Sequence, residues 1–291
     1  MATMHQWIAA ARLRTLPMAV APVVVGSAAA ALLDAFHPGR ALLALIVALA
    51  LQIGVNYAND YSDGVRGTDD DRVGPFRLTA SGATDAKNVK HAAFACFGLA
   101  MLAGLVLVAL AGTWWMLLLG AASVAAAWYY TGGKKPYGYM GLGEVFVFVF
   151  FGLVATLGTT YTQALELHPA AWVGAVSCGL FSTALLMANN IRDIPTDRQV
   201  GKMTLAARLG ETPARWSYVA MMAVATVLPL LLLGETGWFA LTLLSAALAW
   251  IPCRKVLTAR HPRQLIPVLK ATSTVGMAFT LLFLVAVLLH R

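Results

Sequence analysis

The chain has 291 residues, of which 59% are hydrophobic and only 12% are charged, and its mean hydropathy is +0.73. Soluble domains carry about 25% charged residues, so this composition excludes an ordinary soluble domain, a disordered chain and a disulfide-stabilised secreted scaffold. The class that remains is a polytopic membrane protein.

Nine apolar stretches follow one another along the chain. Because backbone groups in hydrocarbon must bond to each other, we interpret each stretch as a membrane-spanning helix. The stretches cover residues 16–33, 41–58, 91–111, 113–130, 142–164, 170–189, 216–233, 238–253 and 267–289. The sequence therefore predicts an all-α fold in which residues 1–291 form a single domain, a bundle of nine transmembrane helices.

The basic residues predict the orientation of this bundle. With the N-terminus in the cytosol, all of the 21 basic residues except Arg40 and Arg291 fall in cytosolic segments, as the positive-inside rule requires. This distribution explains the net charge of +8 without a nucleic-acid partner. The two long polar connections, at about 59–90 and 190–215, would then face the cytosol, and we expect the active site at that end.

Two acidic motifs end the second and the sixth predicted spans, at residues 56–63 and 189–197. Each contains Asn-x-x-x-Asp followed by a further aspartate, which indicates a weak internal repeat. Their oxygen-bearing side chains are Asn56, Asp60 and Asp63 in the first motif and Asn189, Asp193 and Asp197 in the second. Residues four apart share a helix face, and helix C-terminal ends attract cations, so the motifs predict a site for Mg²⁺.

A glycine-rich loop after the fourth predicted span carries Tyr130 and Lys134, four residues apart beside Gly132 and Gly133. Exposed backbone amides and an ammonium group favour binding of a phosphate. Further basic residues could hold a diphosphate or a carboxylate, or serve only as cytosolic anchoring charges; these are Arg72, Arg77 and Lys202. We interpret Asp69, Asp70 and Asp71 as solvated loop charges, and the aromatic run over 146–151 as lipid-facing packing.

The chain resembles the UbiA superfamily of intramembrane aromatic prenyltransferases, and within it the menaquinone branch. The segments that carry the resemblance are NDYSDGVRGTDDDRVGPFRLTASG, YYTGGKKPYGYMGLGE and NNIRDIPTDRQVGKMTL. One position departs from the superfamily pattern Asn-x-x-x-Asp-x-x-x-Asp: Gly64 occupies the last place of the first motif. We expect Asp63 to take that role.

The resemblance implies Mg²⁺-dependent transfer of a polyprenyl group from polyprenyl diphosphate to 1,4-dihydroxy-2-naphthoate, with loss of diphosphate and CO₂, giving a demethylmenaquinol. It implies a multi-pass protein of the bacterial cytoplasmic (inner) membrane, in contact with the lipid bilayer. The implied metal ligands are Asp60, Asp63, Asp193 and Asp197. Tyr130 and Lys134 would act at the diphosphate, Asn56 and Asn189 would bind or orient its metal complex, and Arg14 would bind the acceptor's carboxylate.

Two alternatives remain open from the sequence. The same fold could act on 4-hydroxybenzoate or another aromatic acceptor. A divalent-cation transporter could also place carboxylates at helix ends, but it would need ionisable groups near the bilayer midplane. A CDP-alcohol phosphotransferase is disfavoured because its aspartates form one continuous motif.

Overall fold

The computed structural model describes residues 2–68 and 76–291, and every regular element in those ranges is a helix. The helices are α1 Met4–Ala10, α2 Pro17–Ala31, α3 Pro38–Arg66, α4 Ala86–Ala111, α5 Met116–Tyr129, α6 Gly143–Ala164, α7 Pro169–Gln199, α8 Leu205–Leu209, α9 Glu211–Leu232, α10 Gly237–Thr258 and α11 Pro262–His290. The all-α prediction is confirmed.

The number of membrane spans differs from the nine predicted. Among the described residues, seven helices are long and apolar enough to cross a membrane, and an eighth span is possible if a bent helix pair counts as one. Helix α5 has only 14 residues. It therefore extends about 21 Å, which is short of the roughly 30 Å of a hydrocarbon core. Each predicted stretch contains a helix, but the prediction of nine complete crossings is not confirmed.

The chain bends just before the first predicted span, which is formed by α2. Met4–Thr15 and Pro17–Ala31 meet at an angle of 49°. Arg12, whose φ of 55° is left-handed, lies between α1 and a short 3₁₀ turn, Leu13–Thr15, and Pro17 then begins α2. A left-handed residue cannot continue a right-handed helix, and proline suits the first turn of a new one because it lacks a backbone N–H.

Both motif-bearing helices continue past their apolar stretches. Helix α3 extends to Arg66 and α7 to Gln199, with Pro195 inside the helix, so both acidic motifs are helical to their last aspartate. The four motif aspartates on these turns are buried, whereas the last residues of each helix, 65–66 and 198–199, are exposed. This extension places the asparagine and the aspartate of each motif on one face of their helix, about one turn apart.

Helix α7 is the central helix of the bundle: 67% of the residues in its most apolar segment are buried, compared with 28–50% in the other six spanning helices. It packs on α2, α6, α9 and α11. Its approach to α6 is especially close: a Cβ atom on Gly152 would lie 2.5 Å from the Gly179 Cα and 2.8 Å from the Ala175 carbonyl oxygen. Gly152 lies in a π-helical segment of α6, Phe148–Val154. Small residues at such contacts let two membrane helices pack backbone against backbone.

We predict that Gly152→Val destabilises the protein by about 1–3 kcal/mol, because the added atoms meet backbone that cannot move aside. Thermal unfolding in detergent measures the effect. The matched control is Gly98→Val in α4, where a Cβ would meet no described atom within 4 Å. Equal melting temperatures for the two variants would show that the α6–α7 contact does not require glycine.

Candidate active site

A cavity of about 910 Å³ lies within the bundle, between α2, α3, α4, α5, α6, α7 and the start of α11. Along α3 its lining runs from Ala44 to Asp63, a length of about 28 Å at 1.5 Å per helical residue. Most of its walls are apolar, and the predicted site residues lie at one end. Those that line it are Arg14, Asn56, Asp63, Arg77, Tyr130, Asn189 and Lys202.

The last turns of α3 hold the first motif in place through neighbouring backbone. Asn56 Nδ2 donates to the Ala11 carbonyl oxygen at 2.9 Å and to Thr15 Oγ1 at 3.3 Å, which ties α3 to the break before α2. The Asp60 carboxylate accepts the amide N–H groups of Leu78 at 2.7 Å and Thr79 at 2.9 Å. Asp60 is therefore the anchor of the loop that begins at residue 76.

Gly64 explains why the acid of this motif lies at position 63. A Cβ atom on Gly64 would lie 2.5 Å from the Thr79 Cβ, so the loop held by Asp60 leaves no room for a side chain there. Asp63 instead lines the cavity. Its carboxylate accepts the Tyr139 hydroxyl at 2.8 Å and lies 3.7 Å from Arg77 Nη2.

The second motif contains a buried guanidinium group that sequence analysis missed. Arg192 donates to both oxygens of the adjacent Asp193, at 2.7 and 2.8 Å, and to Asn189 Oδ1 at 2.8 Å. Arg192 also lines the cavity. Arg192 follows Asn189 and Asn190 and directly precedes Asp193 in the sequence. The arginine next to a motif aspartate was the signal from which this contact could have been predicted.

The two motifs converge on one ammonium group. Lys202 Nζ lies 3.9 Å from Asp63 Oδ2 and 3.9 Å from Asp197 Oδ1. The two carboxylate oxygens are thus no farther apart than twice that distance, although they belong to different helices. The sequence predicted that the motifs would meet but gave Lys202 a separate role at the substrate.

The loop after α5 is clamped beside the first motif. Arg66 donates to the carbonyl oxygens of Thr131 and Gly133, and Thr131 Oγ1 donates to Asn59 Oδ1 at 2.8 Å. Tyr130 lines the cavity, whereas Lys134 is exposed on the turn that follows. Arg72, like Asp69, Asp70 and Asp71, lies outside the described residues.

Tyr139 connects both motifs and was also missed. Besides its bond to Asp63, its ring lies 5.0 Å from Lys202 Nζ, and its carbonyl oxygen accepts the Met203 amide at 3.1 Å. Burial, together with the nearby charge of Asp63, raises the pKa of Tyr139 well above its ordinary value. The phenol therefore keeps its proton at physiological pH and acts as a hydrogen-bond donor.

Aromatic and amide side chains complete the cavity wall. Phe146, Phe150 and Phe151 line the cavity, so the prediction that the aromatic run faces lipid is wrong for these three residues. Phe148, the remaining aromatic residue of the run, packs against Gly179 of α7. Asn190 Nδ2 donates to Oε1 of the buried Glu144 at 2.9 Å. The cavity thus combines apolar and aromatic walls with one strongly polar end.

The four aspartates predicted as metal ligands do not form a single cluster. Within the described ranges, no three acidic, histidine or cysteine side chains converge closely enough to hold a metal ion by themselves. Asp60 accepts backbone amides, and Asp193 accepts the Arg192 guanidinium. Asp63 and Asp197, in contrast, both lie near the Lys202 ammonium. Mg²⁺ is commonly held by one or two carboxylates together with substrate phosphates, and the Asp63–Asp197 pair fits that pattern.

Comparisons with known proteins agree with this architecture. The model of the UbiA prenyltransferase family matches residues 19–274. The 1,4-dihydroxy-2-naphthoate octaprenyltransferase of Mycobacterium tuberculosis is 52% identical over 97% of this chain and 96% of its own length. The Escherichia coli protein of the same name is 41% identical over 98% of this chain and 96% of its own.

A solved structure shows the same fold at low sequence identity. The UbiA homolog from Archaeoglobus fulgidus bound to GPP and Mg²⁺ superimposes with a TM-score of 0.68, at 12% identity, over 96% of this chain and 99% of that one.

We predict that Asp60→Asn loosens the loop after residue 76, because an amide NH₂ group then faces a backbone N–H, at a cost of about 1–3 kcal/mol. Hydrogen exchange followed by mass spectrometry should report faster exchange in a peptide covering Leu78 and Thr79. Asp197→Asn, the same chemical change in the other motif, is the control and should leave that peptide protected. Unchanged exchange in Asp60→Asn would contradict the anchoring role.

Proposed function

Because the chain belongs to the UbiA prenyltransferase family, we propose that it transfers a polyprenyl group from polyprenyl diphosphate to 1,4-dihydroxy-2-naphthoate. Diphosphate and CO₂ leave, and the product is a demethylmenaquinol. The relative from M. tuberculosis that is 52% identical over nearly the whole chain supports this acceptor. The structural observation that carries the proposal is the convergence of Asp63 and Asp197 on Lys202, beside the polar end of a long apolar cavity that Asp63 and Lys202 line.

The polar end suits an allylic diphosphate. Cleavage of the carbon–oxygen bond leaves negative charge on the departing diphosphate, and fixed cations lower the barrier by stabilising that charge. Arg77 and Lys202 line the cavity there. Tyr130 lines it as well, and Lys134 lies four residues further on the adjoining turn. We assign these four residues to the diphosphate, together with Arg72.

The carboxylates are assigned to a divalent metal. Mg²⁺, when bound, neutralises the diphosphate and so makes it a better leaving group. Asp63 and Asp197 are the ligands that the geometry favours, because one cation already lies within reach of both. Asp60 and Asp193 complete the predicted set, and each would have to change its present partners to reach the ion.

The acceptor is assigned to the neighbouring part of the cavity. Arg14 is exposed at the cavity mouth, where its guanidinium group can pair with an aromatic carboxylate. Asn56 and Asn189, the first residues of the two acidic motifs, line the cavity as Arg14 does and would orient the bound groups. The apolar and aromatic walls, including Phe146 and Phe150, keep water from the allylic cation and hold the prenyl chain.

The fold and the relatives support a membrane setting for the chain. The chain is a multi-pass membrane protein, and we place it in the bacterial cytoplasmic (inner) membrane with its N-terminus and its polar cavity end in the cytosol. That orientation brings the active site to the side where soluble aromatic acids are available, while the prenyl chain stays among the helices.

An acceptor screen tests the activity. Membranes containing the protein, supplied with Mg²⁺ and a labelled polyprenyl diphosphate, should prenylate 1,4-dihydroxy-2-naphthoate and release CO₂, and chelation of the metal should stop the reaction. Transfer to 4-hydroxybenzoate alone would contradict the proposed acceptor. Cation uptake into proteoliposomes without a prenyl donor would instead support a transporter.

Neutralising either carboxylate at the convergence should suppress turnover. We expect Asp63→Asn and Asp197→Asn each to lower kcat by at least about 100-fold, because a ligand of the metal that would neutralise the leaving group is lost. Glu166→Gln, at an exposed position after α6, is the control and should retain normal turnover. Near-normal rates in both aspartate variants would refute their assignment.

A further inference from the structure

Lys202 is brought to the acidic motifs by the way α7 ends. Gly201 adopts a left-handed φ of 71°, and the chain turns back so that the Lys202 amide donates to the Asp197 carbonyl oxygen at 2.8 Å. The lysine stem then runs toward Asp63, and its side chain is 12% exposed. Its position is therefore fixed by backbone geometry, whereas its four-carbon stem remains free to change rotamer.

The ammonium lies near two carboxylates, one of which, Asp63, also lies 3.7 Å from Arg77 Nη2. Asp63 and Asp197 are nearly completely buried, and both lie at helix C-terminal ends, which carry partial negative charge. Lys202 stands 3.9 Å from each. A directly hydrogen-bonded ammonium–carboxylate pair is closer, at about 2.7–2.9 Å. Lys202 is thus shared between the two carboxylates instead of being docked on one.

The ammonium has a second stabilising contact, with the Tyr139 ring. The Tyr139 ring centroid is 5.0 Å from Lys202 Nζ, within the range of a cation–π interaction. Tyr139 is itself fixed by its hydroxyl bond to Asp63 and its carbonyl bond to Met203. Lys202 also lines the cavity. The ammonium can therefore leave the carboxylates and still keep a favourable contact beside the cavity.

We propose that Lys202 is a built-in counter-cation that occupies the place of a divalent metal between Asp63 and Asp197 and must withdraw before the metal binds. In this role it keeps two repelling carboxylates on separate helices within reach of one ion. After withdrawal, it is available to the diphosphate. The proposal depends on the proposed function in one respect only: it takes the incoming ion to be the divalent metal of the donor complex.

Metal binding without any donor tests the proposal directly. Purified protein in detergent is titrated with Mn²⁺, and free Mn²⁺ is followed by electron paramagnetic resonance. Lys202→Met should bind Mn²⁺ about tenfold more tightly than the unaltered protein, because the competing charge is gone while both carboxylates remain. Lys202→Arg, which keeps the charge, should bind no more tightly than the unaltered protein. Lys255→Met, which removes an exposed charge from the last turn of α10, controls for net charge and should change nothing.

The opposite ranking would overturn the proposal. If Lys202 only stabilises the fold, Lys202→Met should bind Mn²⁺ no more tightly than the unaltered protein. Absence of Mn²⁺ binding in both proteins would also contradict the proposal. Thermal unfolding and size-exclusion profiles establish that each variant is folded, and Lys202→Gln replaces the methionine variant if that one aggregates. Prenyl transfer is measured in parallel: its absence in the unaltered protein refutes the proposed function, whereas the Mn²⁺ ranking alone decides the role of Lys202.

Discussion

The polar end of this protein is organised by the need to neutralise two buried carboxylates on separate helices. Asp63 and Asp197 stand where the negative ends of α3 and α7 meet, and isolated buried charge is costly. Lys202 lies between them, Arg77 lies beside Asp63, and Tyr139 donates to the same carboxylate. These contacts draw three distant parts of the chain together at the polar end of the cavity.

The other motif residues bind different parts of the chain. Asp60 holds the loop after residue 76 through two backbone amides, and Asn56 holds the break before α2. Arg192 binds Asp193 and Asn189 within α7. Residues that look equivalent in the sequence therefore differ in their partners. Asn56, Asn189 and Arg192 make these contacts while also lining the cavity, whereas Asp60 and Asp193 make theirs away from its lining.

Much of this arrangement could be predicted from the sequence because it depends on local regularities. Hydropathy locates the helices, and the four-residue spacing in each motif indicates that its asparagine and aspartate share a helix face. What depends on tertiary neighbours could not be predicted. Nothing local distinguishes Asp60 from Asp63; the loop packed against Gly64 does. The contacts of Tyr139 with Asp63 and Lys202 likewise arise from packing between distant segments.

Gly64 has a consequence for how such a motif can change over time. Since the Thr79 side chain occupies the space beside it, moving the acid one position along the helix would displace the loop that Asp60 fastens. The spacing of the acids and the course of that loop therefore depend on each other, so a change in one requires a change in the other. Homologues with a different spacing should carry compensating differences in the loop, and chimaeras that exchange only one of the two should fail to assemble.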